Sequence, residues 1–142
     1  MVAVRCPHGR PAVIEQAAYL ADGRPFPTTY YLTCPHAVAR IDVLEAAGGV
    51  DRYERLVAAD TAAGGEYRHG AARQRELRRP APRMADSGAS LALGIAGASR
   101  QGAIKCLHAH AAFALAEPEY ALGRRMLAEA APIFAAMECC TP

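Results

Sequence analysis

Short β-type runs crowd the first quarter of the chain, and helical spacings occupy most of the rest. Residues 2–5 (VAVR) and 12–19 (AVIEQAAY) flank CPHGRP at 6–11, where Gly9 and Pro11 mark a turn. This pattern predicts a β-hairpin with Cys6 at its turn. Asp22-Gly23 and two prolines mark a second turn, and TTYYLT at 28–33, β-branched and aromatic, predicts a third strand or extended segment. From Pro35 the period changes. Val38, Ile41, Val43 and Leu44 recur at helical spacing until Gly48-Gly49, with the proline suited to the first helical position and Cys34 at or beside the N-cap. A second helix is predicted over 50–62, using Val50, Tyr53, Leu56 and Val57. A third, polar helix is predicted over 66–79, ended by Pro80 and Pro82. Residues 85–102 are rich in Gly, Ala and Ser and read as a flexible connector. Ile104, Leu107, Ala111, Ala114 and Leu115 share a broad face of a helix over 102–116. Leu122, Met126, Leu127, Ile133 and Phe134 mark a last helix over about 119–138, which Pro132 bends or divides.

The expected architecture is α+β and mostly helical, an N-terminal β-hairpin and extended segment packed on four to five helices. One domain spans 1–138, with a β-rich part at 1–34, helices at 35–79, a Pro/Gly-rich loop at 80–101 and helices at 102–138; residues 139–142 form a tail. Composition changes the expected core. Thirty-three alanines inflate the hydrophobic fraction of 52%, while aromatics are 6% and Trp is absent. Small side chains release little free energy each on burial, so the helices must pack closely. A formal net charge of +2 selects no nucleic-acid or membrane partner. No run of about 18 apolar residues predicts a membrane span. The first residues lack the pattern of a signal peptide, so the expected location is cytoplasmic. In such a compartment five cysteines point to metal or thiol chemistry before disulfides. The Ala-rich helical surface is compatible with a homo-oligomer and specifies none.

Cys and His concentrate in three short clusters: Cys6-Pro7-His8, Cys34-Pro35-His36 and KCLHAH at 105–110. Cys6, Cys34, Cys106 and one of His108 or His110 supply a Cys3His set for tetrahedral zinc, if the fold brings them together. On a regular helix Cys106 and His110 lie about 40° apart, whereas His108 points elsewhere unless the helix starts at Cys106 or later. Three cysteines on an iron–sulfur cluster are an alternative, although the usual closely spaced run is missing. A third reading is a thiol enzyme, with Cys34 or Cys106 activated at a helix N-terminus by a histidine. Cys139 and Cys140 are adjacent and are read as incidental.

The basic residues add an anion-binding theme. Fifteen of the sixteen are Arg, and the sole Lys, Lys105, directly precedes Cys106. Arg100 and Lys105 are candidates to hold an anion beside the glycine-rich stretch, whose backbone N–H groups can contribute. Arg68, Arg73, Arg75, Arg78 and Arg79 lie on the polar helix. They are either a solvated face or an arm that meets a phosphate-rich partner such as RNA or polyphosphate. No aromatic stripe accompanies them, so base stacking is not suggested.

RCPHGRP at 5–11, DGRPFPTTYYLTCP at 22–35 and IKCLHAH at 104–110, in that order, resemble the bacterial family of domains of unknown function numbered 501. The resemblance runs from about residue 4 to 117. It carries over Cys6, Pro7, Gly9, Pro25, Phe26, Pro27, Thr28, Thr33, Cys34, Pro35, Lys105, Cys106, His108 and His110 as motif positions, and it strengthens the case for a shared Cys/His site that includes His108. The family's usual Asn-Pro-x-Gly segment is replaced by Tyr120-Ala121-Leu122-Gly123. The family has no agreed activity. Its frequent gene neighbour, an exopolyphosphatase, implies a phosphate-related setting.

Overall fold

The computed structural model describes residues 1–78 and 83–138. Arg79, Pro80, Pro82, Cys139 and Cys140, and the readings made for them, lie outside the described residues. Three strands, β1 (Val2–Arg5), β2 (Pro11–Glu15) and β3 (Tyr30–Leu32), form an antiparallel sheet in the order β1-β2-β3. The β2–β3 register pairs Val13 with Leu32 and Glu15 with Tyr30, and the β1–β2 register slips twice. The pleat sorts the side chains: Tyr30 and Leu32 are buried while Tyr31 between them faces water. Gly9, at φ +77, closes the hairpin turn, and Cys6 N–H donates to Arg10 O at 2.9 Å.

Among the described residues five helices follow: α1 (Pro35–Ala46), α2 (Gly49–Ala59), α3 (Thr61–Leu77), α4 (Leu107–Ala116) and α5 (Ala121–Glu129). The fold class expected from the sequence is the one observed. Four helix boundaries differ for local reasons. Asp60 is the N-cap of α3, its carboxylate accepting from Ala63 N–H at 2.7 Å, so that helix starts at 61 and α2 stops short of 62. Cys106 caps α4, which therefore begins at 107 and not at 102. Helix α5 ends at Glu129; Arg40 of α1 reaches over and donates to Ala130 O and Ala131 O, both at 2.8 Å, at the point where Pro132 precludes another turn.

Helix α4 is the central element. It is contacted by β3, α1, α5 and the turn at Ile95–Gly97. Leu107, Ala109, His110, Ala111, Ala112, Phe113 and Ala114 are all buried, so it has an apolar circumference where the sequence suggested one face. Alanine and glycine permit this crowding: a Cβ on Gly70 would stand 2.3 Å from Tyr120 Cε2. The few large rings fill the middle, with Phe113 edge-on to Tyr30 at 5.4 Å and to Tyr120 at 5.5 Å.

The stretch expected to be a flexible connector is a built loop. It contains 3-10 turns at Ala89–Ala92 and Ile95–Gly97. Asp86 organises it, accepting from Tyr19 Oη at 2.7 Å, Gly88 N–H at 3.0 Å, Ser90 N–H at 2.8 Å and the Ser90 hydroxyl. Ile95 is buried, and a Cβ on Gly97 would meet Pro27 Cβ at 2.6 Å. The PFPT segment is thereby clamped under the loop, an anchoring role for Pro27. Among the described residues no helix is long and apolar enough to cross a membrane.

Candidate functional site

Among the described residues, each of the three Cys/His clusters makes contacts of its own. Cys6 is buried in the hairpin turn, and Cys34 is the buried N-cap of α1. His8 Nε2 lies 2.9 Å from Ala135 O and His36 Nε2 lies 3.1 Å from Pro132 O. Both Cys-Pro-His triplets thus hold the segment after α5 against the sheet and α1.

Cys106 caps α4 in a way a serine would: its Sγ accepts from Ala109 N–H at 3.4 Å. Burial pushes this thiol up, the Ala109 N–H pulls it back, and the nearby Glu45 carboxylate adds to the rise; the net direction is upward. That environment favours the protonated thiol, the opposite of what an activated nucleophile needs. Cys106, His108, Tyr30, Leu32 and Val38 line a cavity of about 290 Å³ between β3, α1 and α4.

His108 and His110 leave α4 in different directions. His108 meets α1, with Nε2 3.1 Å from Asp42 Oδ1 and Nδ1 3.2 Å from Glu45 Oε1. Glu45 Oε1 also accepts from Leu107 N–H at 2.5 Å, so one carboxylate orients the ring and caps the helix. His110 points into the core. Its Nδ1 is 2.6 Å from Tyr120 Oη, the Tyr67 ring stacks on it at 6.3 Å, and burial pulls its pKa down to about 4. Among the described residues, no group of three or more His, Cys, Asp or Glu side chains is placed to hold a metal ion. Neither the Cys3His set for zinc nor the three-cysteine set for an iron–sulfur cluster is assembled among them. Cys/His spacing leaves out Asp42 and Glu45, although two acids three apart on the helix opened by Cys34 are a readable signal.

The basic residues do come together. Arg68 and Arg75 are two turns apart on α3 and so lie on one stripe, with Ala71 and Ala72 as a low floor between them. The turn at 98–102 faces this stripe and presents Arg100. A cavity of about 390 Å³ between the two is lined by Tyr67, Arg68, Arg75, Ser99, Arg100 and Gln101, and by no carboxylate among the described residues. It shares Tyr67, Arg68, Arg100 and Gln101 with a cavity of about 540 Å³ that continues along α2, where Arg55, Asp51 and Glu54 join the lining. Glu54 holds the turn in place, accepting from Arg100 Nη2 at 3.2 Å and from Ile104 N–H at 2.8 Å. Tyr67 donates its hydroxyl to Ala103 O at 3.0 Å.

The other arginines of α3 do different work. Arg73 Nε donates to Glu117 Oε2 at 2.8 Å, and Tyr30 Oη donates to Glu117 Oε1 at 2.9 Å, tying α3 to β3. Arg78 is buried. Lys105 is exposed and is not among the residues lining the groove, so of the two anion candidates only Arg100 stands there. Arg55 was missed, and Arg68 and Arg75, both named on the polar helix, were not joined to Arg100, because packing against α2 and the 98–102 turn cannot be read from spacing.

Comparison with curated proteins and with solved structures found no match. A family model does match, over residues 2–128, and by it the chain belongs to the family described as protein of unknown function, DUF501.

Proposed function

We propose that the chain binds a phosphate-rich ligand, with polyphosphate as the best fit, in the groove between α3 and the 98–102 turn. One observation carries this reading: Arg68, Arg75 and Arg100 converge on the 390 Å³ cavity, which has no carboxylate among its described lining residues, the acids Asp51 and Glu54 standing in the cavity that continues along α2. Like charges placed around one cavity raise the local concentration of a polyanion, and each phosphate contact releases counterions. Recognition is through charge. Tyr67, the aromatic residue of the cavity, is stacked on His110 and hydrogen-bonded to Ala103, which disfavours base stacking as the basis for affinity. The groove also uses the two features that the sequence singled out, the Arg-rich helix and the glycine-containing loop.

The test is fluorescence anisotropy with labelled polyphosphate and a length-matched single-stranded RNA over a salt series. Polyphosphate binding is expected to weaken steeply with salt. In Arg68→Gln/Arg75→Gln/Arg100→Gln the log–log slope should flatten by about two to three. Wild-type affinity retained by the triple variant would overturn the proposal, and tighter RNA binding would overturn the choice of polyphosphate.

A further inference from the structure

A further cavity, remote in sequence from the groove residues of the 98–102 turn, is built around a buried charge. It has a volume of about 510 Å³ and is lined by Glu15–Tyr19 after β2, by Thr29, and by Arg73, Glu76, Leu77 and Arg78 at the end of α3. Arg78 is the C-cap residue of α3 and is only 5% exposed. Its Nη1 is anchored, donating to Phe26 O at 3.0 Å and Pro27 O at 3.2 Å. Its Nε and Nη2 are buried and have no hydrogen-bond partner among the described residues, and the same is true of Thr29 Oγ1, in a residue also 5% exposed.

Buried donors are almost always paired, and a buried guanidinium without a counter-ion is costly. The nearest acid in the electrostatic sense, Asp86, does not reach an ion pair with Arg78; its oxygens are engaged by Tyr19, Gly88 and Ser90. Arg73 is satisfied by Glu117 and Glu76. The Nε/Nη2 edge is a fork that accepts one carboxylate side-on. This molecule shows that geometry at another site: Arg125 holds Glu66 through Nε at 2.9 Å and Nη2 at 2.6 Å. At Arg78 the same edge has no carboxylate among the described residues.

We infer that this cavity is a binding site for a small carboxylate compound, held side-on by Nε and Nη2 of Arg78 with the Thr29 hydroxyl as a third contact. The lining favours a carboxylate over a phosphate. Glu15 and Glu76 share the cavity with Arg73 and Arg78, so the formal charges of the wall cancel, and one negative charge is accommodated more readily than two. The volume suits a molecule of metabolite size.

The experiment is NMR of the full chain, following the arginine Nε–H resonances during titration with the monocarboxylates acetate and propionate, and separately with inorganic phosphate, at constant ionic strength in chloride. A saturable shift of the Arg78 Nε–H with the carboxylates is expected. A resonance that does not move, or that moves as it does with chloride alone, overturns the inference. A response to phosphate but not to carboxylates overturns the ligand class. Arg78→Lys removes the reporter together with the fork, so it serves to assign the Arg78 Nε–H resonance. Because loss of Arg78 also removes the anchor on Phe26 and Pro27, Thr29→Val is the second variant, and it should weaken carboxylate binding by about tenfold, one hydrogen bond's worth. Unchanged carboxylate affinity in Thr29→Val overturns the assigned third contact.

Discussion

His110 Nδ1 and Tyr120 Oη meet at 2.6 Å in a part of the core where His110 is 0% and Tyr120 1% exposed. The motif histidine that helical spacing favoured as a metal ligand is thus committed to an internal hydrogen bond between α4 and the start of α5. Burial sets its titration. Its folded pKa is about 4 against an ordinary 6.5. Between those values the unfolded chain binds a proton that the folded chain does not, so the contribution to stability is complete above about pH 6.5 and is lost as pH falls towards 4. The loss is about 3 kcal/mol, from 1.4 kcal/mol per pH unit. Urea denaturation of wild type and His110→Gln at pH 7.5, 6 and 5 checks this. The wild type should lose stability more steeply, and parallel losses would acquit His110.

Two glycines on α3 should respond oppositely to the same substitution. In Gly65→Ala the new Cβ meets only the flexible end of Arg68, at 3.7 Å. The helix-propensity gain of up to about 1 kcal/mol should appear as added stability. In Gly70→Ala the Cβ runs into the Tyr120 ring at 2.3 Å, and that ring is fixed by His110 and Phe113. Overpacking of about 1–3 kcal/mol exceeds the propensity gain, so this variant should be destabilised in denaturant titrations. Equal effects at both positions would show that Tyr120 can move.

The local structure was well written in the sequence where one residue decides it. Pro35 opens α1 with Cys34 as its cap, and the turn around Gly9 closes the first hairpin, as their chemistry requires. Reading failed where the deciding partner is far along the chain. The direction of His108 depends on Asp42 and Glu45, about sixty residues earlier, and the order of the 85–102 loop depends on Tyr19 and Pro27. The start of α4 was misplaced because cysteine is an uncommon N-cap, yet Cys106 Sγ serves as one. The basic groove follows the same logic. Its components were visible, but only packing of α3 against the 98–102 turn selects Arg68, Arg75 and Arg100 and retires Arg73 and Arg78 to other tasks.

Cys106 should be a slow nucleophile. Its burial and the Glu45 charge hold the thiol protonated at neutral pH, so alkylation by iodoacetamide at pH 7.5, followed by peptide mass spectrometry, should lag behind that of an unstructured cysteine peptide. Glu45→Gln removes the charge and keeps an oxygen for the Leu107 N–H, and it should speed the reaction. Fast alkylation in the wild type would restore the thiol-enzyme reading.

Arg68 and Arg73 lie on one helix five residues apart and carry the same charge, which makes them a discriminating pair. Arg73 is tied to Glu117 and Glu76, whereas Arg68 has no carboxylate partner among the described residues and faces both cavities of the groove. Arg73→Gln should reduce stability by less than about 1 kcal/mol, because the pair is partly exposed and screened. It should leave polyphosphate affinity and its salt slope near the wild-type values. Arg68→Gln should leave stability unchanged within error and flatten the slope by about one. A net-charge effect alone would make the two variants bind alike, and that result would remove the groove as the site. The reverse assignment, with Arg73→Gln the weaker binder, would move the site to the other side of α3, towards β3 and Glu117.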